Sequence, residues 1–163
     1  MTQVSPRYPR SKHIPRPCKF NQDKLVVKLD ELIPSDTQHV EGAVSRVLAL
    51  LEKSGCRHDL GNVQLALQEA LMNAVLHGNR SDPEKYVRLC VAVEEDGEVL
   101  IVVKDSGRGF DPSKLPDPTK GQNIYRDCGR GVYLIHQLMD EVHYEFEDGT
   151  SVIMRHRPPN GHK

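Results

Sequence analysis

The segment from Leu60 to Gly78 is rich in helix-forming residues, contains no proline, and constrains the fold more than any other part of the chain. It predicts one helix that ends at Gly78, with that glycine in a left-handed conformation. Apolar side chains point almost all round this helix: Leu65, Leu67, Ala70, Leu71, Met72, Ala74, Val75 and Leu76. A helix that is apolar on most sides is normally buried, so the rest of the chain must pack around it.

Three polar side chains interrupt this apolar surface at intervals of four residues, at Glu69, Asn73 and His77. Residues four apart stack along one line of an α-helix. Polar groups on a buried helix cost free energy unless partners satisfy them. The row is therefore either a solvated stripe on a half-exposed helix or the lining of a ligand site, where the Asn73 carbonyl oxygen could bind a hard cation such as Mg²⁺.

The composition is that of an ordinary soluble domain, with 163 residues, 37% hydrophobic and 28% charged. A net charge of -1 implies no general attraction to nucleic acid or to membranes. Five of the 22 basic side chains lie within residues 1–19, together with four prolines and no acid. We therefore expect a disordered basic tail over residues 1–20, one domain over 21–157, and a frayed end over 158–163.

The cysteines predict neither a zinc ribbon nor a disulfide framework, because they lie far apart and form no C-x-x-C pair. They are Cys18, Cys56, Cys90 and Cys128. A reduced, cytoplasmic location is the simplest expectation. The sequence also lacks an apolar run of about 18 residues and the apolar core of a signal peptide, so we expect no association with a membrane.

The remaining elements are short strands that meet in hairpins, with helices in the gaps between them. Strands are predicted over residues 24–29, 86–93 and 99–103, with Asp96-Gly97 as a hairpin turn. Further helices are predicted from Ser35 or Asp36 to Lys53 and over residues 129–139, and a last hairpin joins residues 142–146 to 150–155. This order predicts an α+β fold in which a mostly antiparallel sheet carries helices on one face.

Asp105 follows a buried strand directly, where a carboxylate is unusual. A carboxylate can accept a hydrogen bond from an exocyclic amine such as that of adenine. Gly107 and Gly109 would let the backbone turn sharply and a flat base come close. A plain tight turn is the alternative, since a lone Asp-x-Gly-x-Gly is a weak signal.

A second glycine-rich turn, Gly129-Arg130-Gly131, opens the last predicted helix. A helix start offers free backbone amides and the positive end of the dipole to an anion such as phosphate. The alternative is an ordinary glycine-rich helix entry. Neither a P-loop nor a Rossmann fingerprint is present. Between the two turns, residues 111–128 show no periodicity, and a loop of that length is usually functional or mobile.

The order of these motifs is more specific than any one of them. It runs Glu-x-x-x-Asn-x-x-x-His-Gly, Asp-x-Gly-x-Gly, a long loop, Gly-x-Gly and finally Gly149-Thr150. In this order the chain resembles the GHKL ATPases, the superfamily of gyrase, heat-shock chaperone and histidine-kinase ATP-binding domains. More narrowly, it resembles the anti-sigma-factor serine/threonine kinases. The resemblance covers roughly residues 25–157 and implies the Bergerat fold, a two-layer sandwich with a mostly antiparallel mixed sheet.

The resemblance implies a site for ATP and Mg²⁺ at the central helix. Asn73 would hold Mg²⁺, and Glu69 would be the general base that takes a proton from the attacking hydroxyl or water. Gly129 and Gly131 would donate backbone amides to the phosphates. His77 ends the first motif, and we count it among the nucleotide-binding residues.

The resemblance also implies how the base would be held. Asp105 would read the adenine amine, Gly107 and Gly109 would lie against the ring, and Thr150 would lie near the adenine. Residues 110–128 would form a lid over the nucleotide.

One position departs from the pattern of the family. Some relatives carry an arginine two residues before the first glycine of the Gly-x-Gly motif, where this chain has Asp127. Arg130 is the candidate to replace it at the phosphates.

The implied function is a serine/threonine protein kinase that phosphorylates a STAS-type anti-anti-sigma protein and sequesters a sigma factor. A homodimer is a possible state, and direct binding to nucleic acid is not expected. Two alternatives stay open. One is a non-catalytic module in which ATP orders the lid and thereby selects a protein partner. The other is a stand-alone histidine-kinase-like ATPase domain, which the absence of a helical dimerisation pair disfavours.

Overall fold

A computed structural model describes residue 15 and residues 25–55, 60–107, 127–146 and 148–159. The predicted basic tail, apart from Pro15, lies outside these residues, as do Gly109 and residues 110–126 of the lid that is predicted over 110–128. The last two residues of that lid are helical, so the helix predicted from residue 129 begins two residues earlier. Among the described residues, no helix is long and apolar enough to span a lipid bilayer.

The described residues form one five-stranded sheet with three α-helices. The strands are β1 (Leu25–Pro34), β2 (Tyr86–Glu94), β3 (Val99–Lys104), β4 (Glu141–Glu145) and β5 (Ser151–His156). They lie in the order β1-β2-β3-β5-β4, and all four described pairings are antiparallel. The helices are α1 (Val40–Lys53), α2 (Leu60–Asn73) and α3 (Asp127–Leu138).

The helices cover one face of the sheet, here called the inner face. Alternate side chains of β2, β3 and β5 point into a core that the buried sides of all three helices complete. At the heart of it lie Leu51, Leu67, Leu71, Leu89, Ile101, Ile135 and Met154, each at most 1% exposed. The predicted α+β fold with helices on one face is confirmed.

The turns explain how the strands connect. Both predicted Asp-Gly hairpins are present, with φ of +88° at Gly97 and +120° at Gly149. Glycine reaches such angles at little steric cost. At the start of α1, Asp36 caps the preceding short 3₁₀ turn by accepting a hydrogen bond from the Gln38 amide at 2.9 Å. β1 continues to Pro34, five residues beyond the predicted end at Leu29.

The central helix departs from the prediction in its last turn. α2 is buried as expected, but residues Ala74–Gly78 form a π-helical turn, in which the Asn79 amide donates to the Ala74 carbonyl at 2.8 Å. Gly78 does not have a positive φ, so the predicted left-handed helix end is wrong. A glycine is needed at this position because the Asp105 side chain occupies the space that a Cβ atom would take.

The opposite face of the sheet, here called the outer face, also carries buried apolar side chains. Cys90, Ala92, Leu100 and Val102 form a second, smaller cluster with Ile153. Cys90 is disulfide-bonded. The expectation that the cysteines stay reduced is therefore wrong at this position. Spacing along the chain could not reveal it, because two cysteines distant in sequence can meet across a fold.

Candidate functional site

A cavity opens between α2, α3 and the inner face of the sheet. It is lined by Ala70, Asn73, Ala74, Val103, Asp105, Val132, Ile135, Tyr144, Thr150 and Val152. Three residues that the sequence singled out, Asn73, Asp105 and Thr150, therefore meet in one space. That space has a volume of only about 10 Å³, close to that of one water molecule. A purine ring is far larger, so the cavity must widen to admit one.

Asp105 is the most constrained polar group in this cavity. One carboxylate oxygen, Oδ1, accepts hydrogen bonds from the Gly107 amide at 2.9 Å and the Thr150 amide at 3.1 Å. The Asp105 amide in turn donates to the Thr150 carbonyl at 2.9 Å. The other oxygen, Oδ2, accepts no hydrogen bond from the described residues. The carboxylate is therefore fixed by its first oxygen and keeps the second as an acceptor for a ligand.

Burial sets the charge state of this group. Asp105 is only 5% exposed, and this burial raises the pKa of its carboxyl above the ordinary value of 3.8. The amides of Gly107 and Thr150 and the charge of Lys85 act in the opposite direction, because each favours the ionised form. These groups offset only part of the rise in pKa that burial causes. A carboxyl with a pKa raised in this way is typical of a binding site.

Three glycines make room around Asp105. A Cβ atom on Gly78 would lie 2.2 Å from Asp105 Oδ2, and one on Gly149 would lie 2.0 Å from the Asp105 carbonyl oxygen. A Cβ atom on Gly107 would lie 1.9 Å from the Gly78 carbonyl oxygen. Three chain segments therefore touch at one carboxylate, and none of the three tolerates a side chain.

Asn79 links the chain segments around Asp105 through side-chain hydrogen bonds. It is fully buried, and its Nδ2 donates to Ser35 Oγ at 2.8 Å and to the Tyr86 carbonyl at 3.0 Å. Its Oδ1 accepts from the Ser106 amide at 2.8 Å. The turn that follows Asp105 is thus held to the end of the central helix by one side chain.

At the other end of the cavity, Glu69 and Asn73 of the Glu-x-x-x-Asn motif lie against α3. Glu69 and Asn73 lie one turn apart on α2, and both are half-buried. A Cβ atom on Gly131 would lie 2.8 Å from Glu69 Oε2 and 3.0 Å from Asn73 Nδ2. The start of α3 therefore touches the carboxylate and the amide at the position where the sequence places a phosphate site.

The remaining sequence-predicted residues fall outside this arrangement. His77 is exposed and does not line the cavity, because the π turn rotates it away from the line through Glu69 and Asn73. Gly129 lies in the first turn of α3, but the side chains of Asp127 to Arg130 are outside the described part of the chain. Gly109 is outside it as well.

Sequence reasoning missed two features of the site. Asn79 resembles any polar residue after a helix, and nothing in its neighbours signals that it becomes fully buried. Tyr144 lines the cavity from β4, and nothing in the sequence of that strand indicated a ligand site. Thr150 was found through its position after Gly149, and its Oγ1 has no hydrogen-bond partner among the described residues.

A family model described as the histidine kinase-like ATPase domain matches residues 33–156. This match covers well over half of the chain and includes both motif regions of the cavity. The chain belongs to the histidine kinase-like ATPase domain family. The resemblance predicted from the order of the motifs is confirmed.

Curated relatives narrow the comparison within this family. The serine-protein kinase RsbW of Staphylococcus epidermidis is 29% identical over 141 residues, covering 82% of this chain and 86% of the relative. The anti-sigma F factor of Heyndrickxia coagulans is 29% identical over 100 residues, covering 60% of this chain and 67% of the relative.

Two solved structures share the fold of this chain. The structure of the RsbU and RsbW domains of a Mycobacterium tuberculosis protein matches with a TM-score of 0.60 at 22% identity, covering 81% of this chain but only 32% of that one. The SiaB–SiaC complex of Pseudomonas aeruginosa matches with a TM-score of 0.58 at 13% identity, covering 82% of this chain and 90% of that one.

Proposed function

We propose that this chain is a Mg-ATP-dependent protein serine/threonine kinase of the anti-sigma type. The observation that carries the proposal is the open Oδ2 of Asp105 in the same cavity as Asn73, with Glu69 one helical turn away. Asp105 and Asn73 line one cavity between the sheet and α3, and Glu69 lies beside Asn73 against Gly131.

Adenine recognition follows from the two oxygens of Asp105. Because Oδ1 is occupied by backbone amides, only Oδ2 is available to accept a hydrogen bond from the exocyclic amine of the base. Guanine carries a carbonyl oxygen at that position, which would face the carboxylate without a proton between them. The unpartnered Thr150 Oγ1 offers a second polar contact beside the base, directly or through a water.

The side chains at the α3 end suit a magnesium ion. Mg²⁺ prefers oxygen ligands and is usually held by one or two protein groups together with substrate phosphates and waters. The Asn73 carbonyl oxygen is such a ligand, and Glu69 lies beside it. When bound, Mg²⁺ would neutralise charge that develops on the transferred phosphoryl group.

Glu69 would then act as the base of the transfer. Its carboxylate accepts the proton of a serine or threonine hydroxyl as that oxygen forms a bond to the γ-phosphorus. The bond from that phosphorus to the β–γ bridging oxygen breaks, and ADP leaves with the electron pair. The first turn of α3 lies at the same place, and Gly129 in that turn has an amide that can bind the phosphoryl oxygens, whereas the Gly131 amide donates to the Asp127 carbonyl within the helix.

The proposed partners come from the relatives. One is named a serine-protein kinase and another an anti-sigma factor, and SiaB was solved in complex with SiaC. We infer that the substrate is a small STAS-type antagonist protein and that the kinase also binds a sigma factor. A sigma-factor partner would place this protein in the cytoplasm. A homodimer is part of the same proposal.

A phosphotransfer assay tests the function. The purified chain is incubated with γ-labelled ATP, Mg²⁺ and a STAS protein encoded near its gene, and the product is analysed for phosphoserine and phosphothreonine. Wild type should label the STAS protein. Glu69→Gln should bind ATP but lose transfer by at least about 100-fold, the scale of a removed general base.

The matched control is Glu52→Gln on α1, which makes the same chemical change on an exposed helix and should transfer at the wild-type rate. ATP binding without transfer to any STAS protein would favour the non-catalytic, ATP-switched module. Acid-labile label on a histidine of a separate protein would favour a histidine-kinase-like domain. Absence of ATP binding would overturn the proposal altogether.

A further inference from the structure

One side of the cavity is formed by an aromatic ring at the edge of the sheet. Tyr144 on β4 pairs with Val152 on β5, and Val152 pairs with Val103 on β3. Residues that pair across neighbouring strands project from the same face of a sheet. All three line the cavity, so they form a row along it that ends at Tyr144. Among the described strands β4 is the last on this side, and Tyr144 therefore closes the cavity at the sheet edge.

The aliphatic residues of the lining cannot make room for a base. They are Ala70, Ala74, Val103, Val132, Ile135 and Val152, and each is at most 8% exposed. Alanine has no side-chain rotamer that could free space, and valine and isoleucine are stiff at their first torsion. Ile135 also belongs to the main core, so a shift of α3 away from the sheet would unpack that core.

Tyr144 differs from these residues in its surroundings. Among the residues that line the cavity, only Asn73 and Tyr144 are half-buried, and Asn73 lies at the end where α3 begins. The Tyr144 ring centroid is 5.9 Å from that of His136 and 6.4 Å from that of Phe146. Both of these neighbours are exposed. An outward turn of the Tyr144 ring would therefore displace two surface rings and leave the buried core in place.

We propose that Tyr144 is the movable wall of the nucleotide cavity and determines the size of the purine that the cavity accepts. In the free protein its ring helps to confine the cavity to about 10 Å³. A base enters as the ring turns toward His136 and Phe146. Since β5 separates β4 from β3, which leads into Asp105, the ring then borders the base on the side away from that carboxylate. The inference rests on the proposed function, because it takes a nucleotide as the ligand of this cavity.

A comparison of nucleotide affinities tests this role. ATP and two analogues that carry a phenyl group at C2 or at C8 of the adenine are titrated calorimetrically with Mg²⁺. Both positions lie away from the exocyclic amine that Asp105 would bind. Wild type should bind at least one analogue about 10-fold or more weakly than ATP, and Tyr144→Ala should reduce that ratio at least about 10-fold. Wild type that binds both analogues as tightly as ATP, or ratios that Tyr144→Ala leaves unchanged, would overturn the proposal.

Three variants serve as controls. Tyr144→Phe keeps the ring and should keep the wild-type ratio. Tyr133→Ala should keep it as well, because Tyr133 is 40% exposed on α3 and does not line the cavity. If Tyr144→Ala does not fold, Tyr144→Leu removes the ring with a smaller loss of packing and should lower the ratio in the same direction. Wild type that binds no ATP would contradict the proposed function itself, whereas ATP binding with an unchanged ratio would contradict only the role of Tyr144.

Nuclear magnetic resonance of the tyrosine rings detects the movement directly. The rings are labelled with carbon-13, and the Tyr144 signal is identified by its absence from the spectrum of Tyr144→Phe. That signal should shift when ATP saturates the wild type, because the ring changes its orientation to His136 and Phe146 and gains a base as a neighbour. A Tyr144 signal that stays in place at saturating ATP would refute the movable wall.

Discussion

Replacing Gly78 with alanine adds one methyl group where Asp105 already lies. The new Cβ atom would be 2.2 Å from Asp105 Oδ2, 2.4 Å from its Cγ and 2.9 Å from its Cβ. Real Cβ atoms do not approach heavy atoms this closely, so either the carboxylate or the backbone must move. Asp105 cannot simply rotate, because the amides of Gly107 and Thr150 hold Oδ1.

The cost follows from those two hydrogen bonds. A hydrogen bond to a charged group contributes roughly 1.5–3 kcal/mol, so losing both would destabilise the protein by about 3–6 kcal/mol. The same displacement moves Oδ2 away from its ligand position. Losing that one contact should weaken ATP binding by about 10- to 100-fold, since each factor of ten corresponds to about 1.4 kcal/mol.

Urea unfolding and an ATP titration measure the two effects. Gly42→Ala in α1 is the matched control, because its Cβ atom would meet only the end of the flexible Arg46 side chain, at 3.3 Å. That substitution should leave ATP binding unchanged and stabilise the helix by up to about 1 kcal/mol. A Gly78→Ala protein with the unfolding midpoint and ATP affinity of wild type would refute the assigned contact between Gly78 and Asp105.

Three further predictions concern the same site. Asp105→Asn should abolish detectable ATP binding, since an amide nitrogen can then face the adenine amine. Burial raises the pKa of Asp105, so wild type loses stability as the pH rises above the ordinary carboxyl value of 3.8 and the carboxyl ionises; urea unfolding should therefore show the variant gaining stability relative to wild type as the pH rises above 3.8. Asn79→Ala should destabilise by about 2–4 kcal/mol in urea, because it leaves the half-buried Ser106 amide without its acceptor, whereas Gln64→Ala at an exposed position of α2 should be neutral. Mg-ATP at about 100 times its dissociation constant should raise the melting temperature of wild type by roughly 5–10 °C, and a similar rise in Asn73→Ala would contradict the role of Asn73.

The sequence predicted the parts of the site that depend on local chemistry. The apolar helix with Glu69 and Asn73 could be predicted because periodicity and residue type act within one element. Asp105 could be predicted because a carboxylate directly after a buried strand needs a partner. The family added the order of the motifs, and with it the expected cavity.

The features that sequence reasoning missed depend on contacts between distant segments. The π turn at Ala74–Gly78 and the burial of Asn79 arise where β1, β2 and the turn after Asp105 converge on the helix end. The outward turn of His77 follows from the same π turn, whereas an uninterrupted α-helix would have kept it in line with Asn73.

The manner in which Asp105 is held determines which mutations the site tolerates. Its two anchors are backbone amides, which every residue type except proline provides. A substitution at Thr150 that keeps the backbone in place therefore leaves the amide that holds Oδ1. Size is restricted instead, because Gly78, Gly107 and Gly149 leave no room for a single extra carbon. Substitutions that add atoms at these three glycines should accordingly inactivate the site although they change none of the side chains that bind the nucleotide.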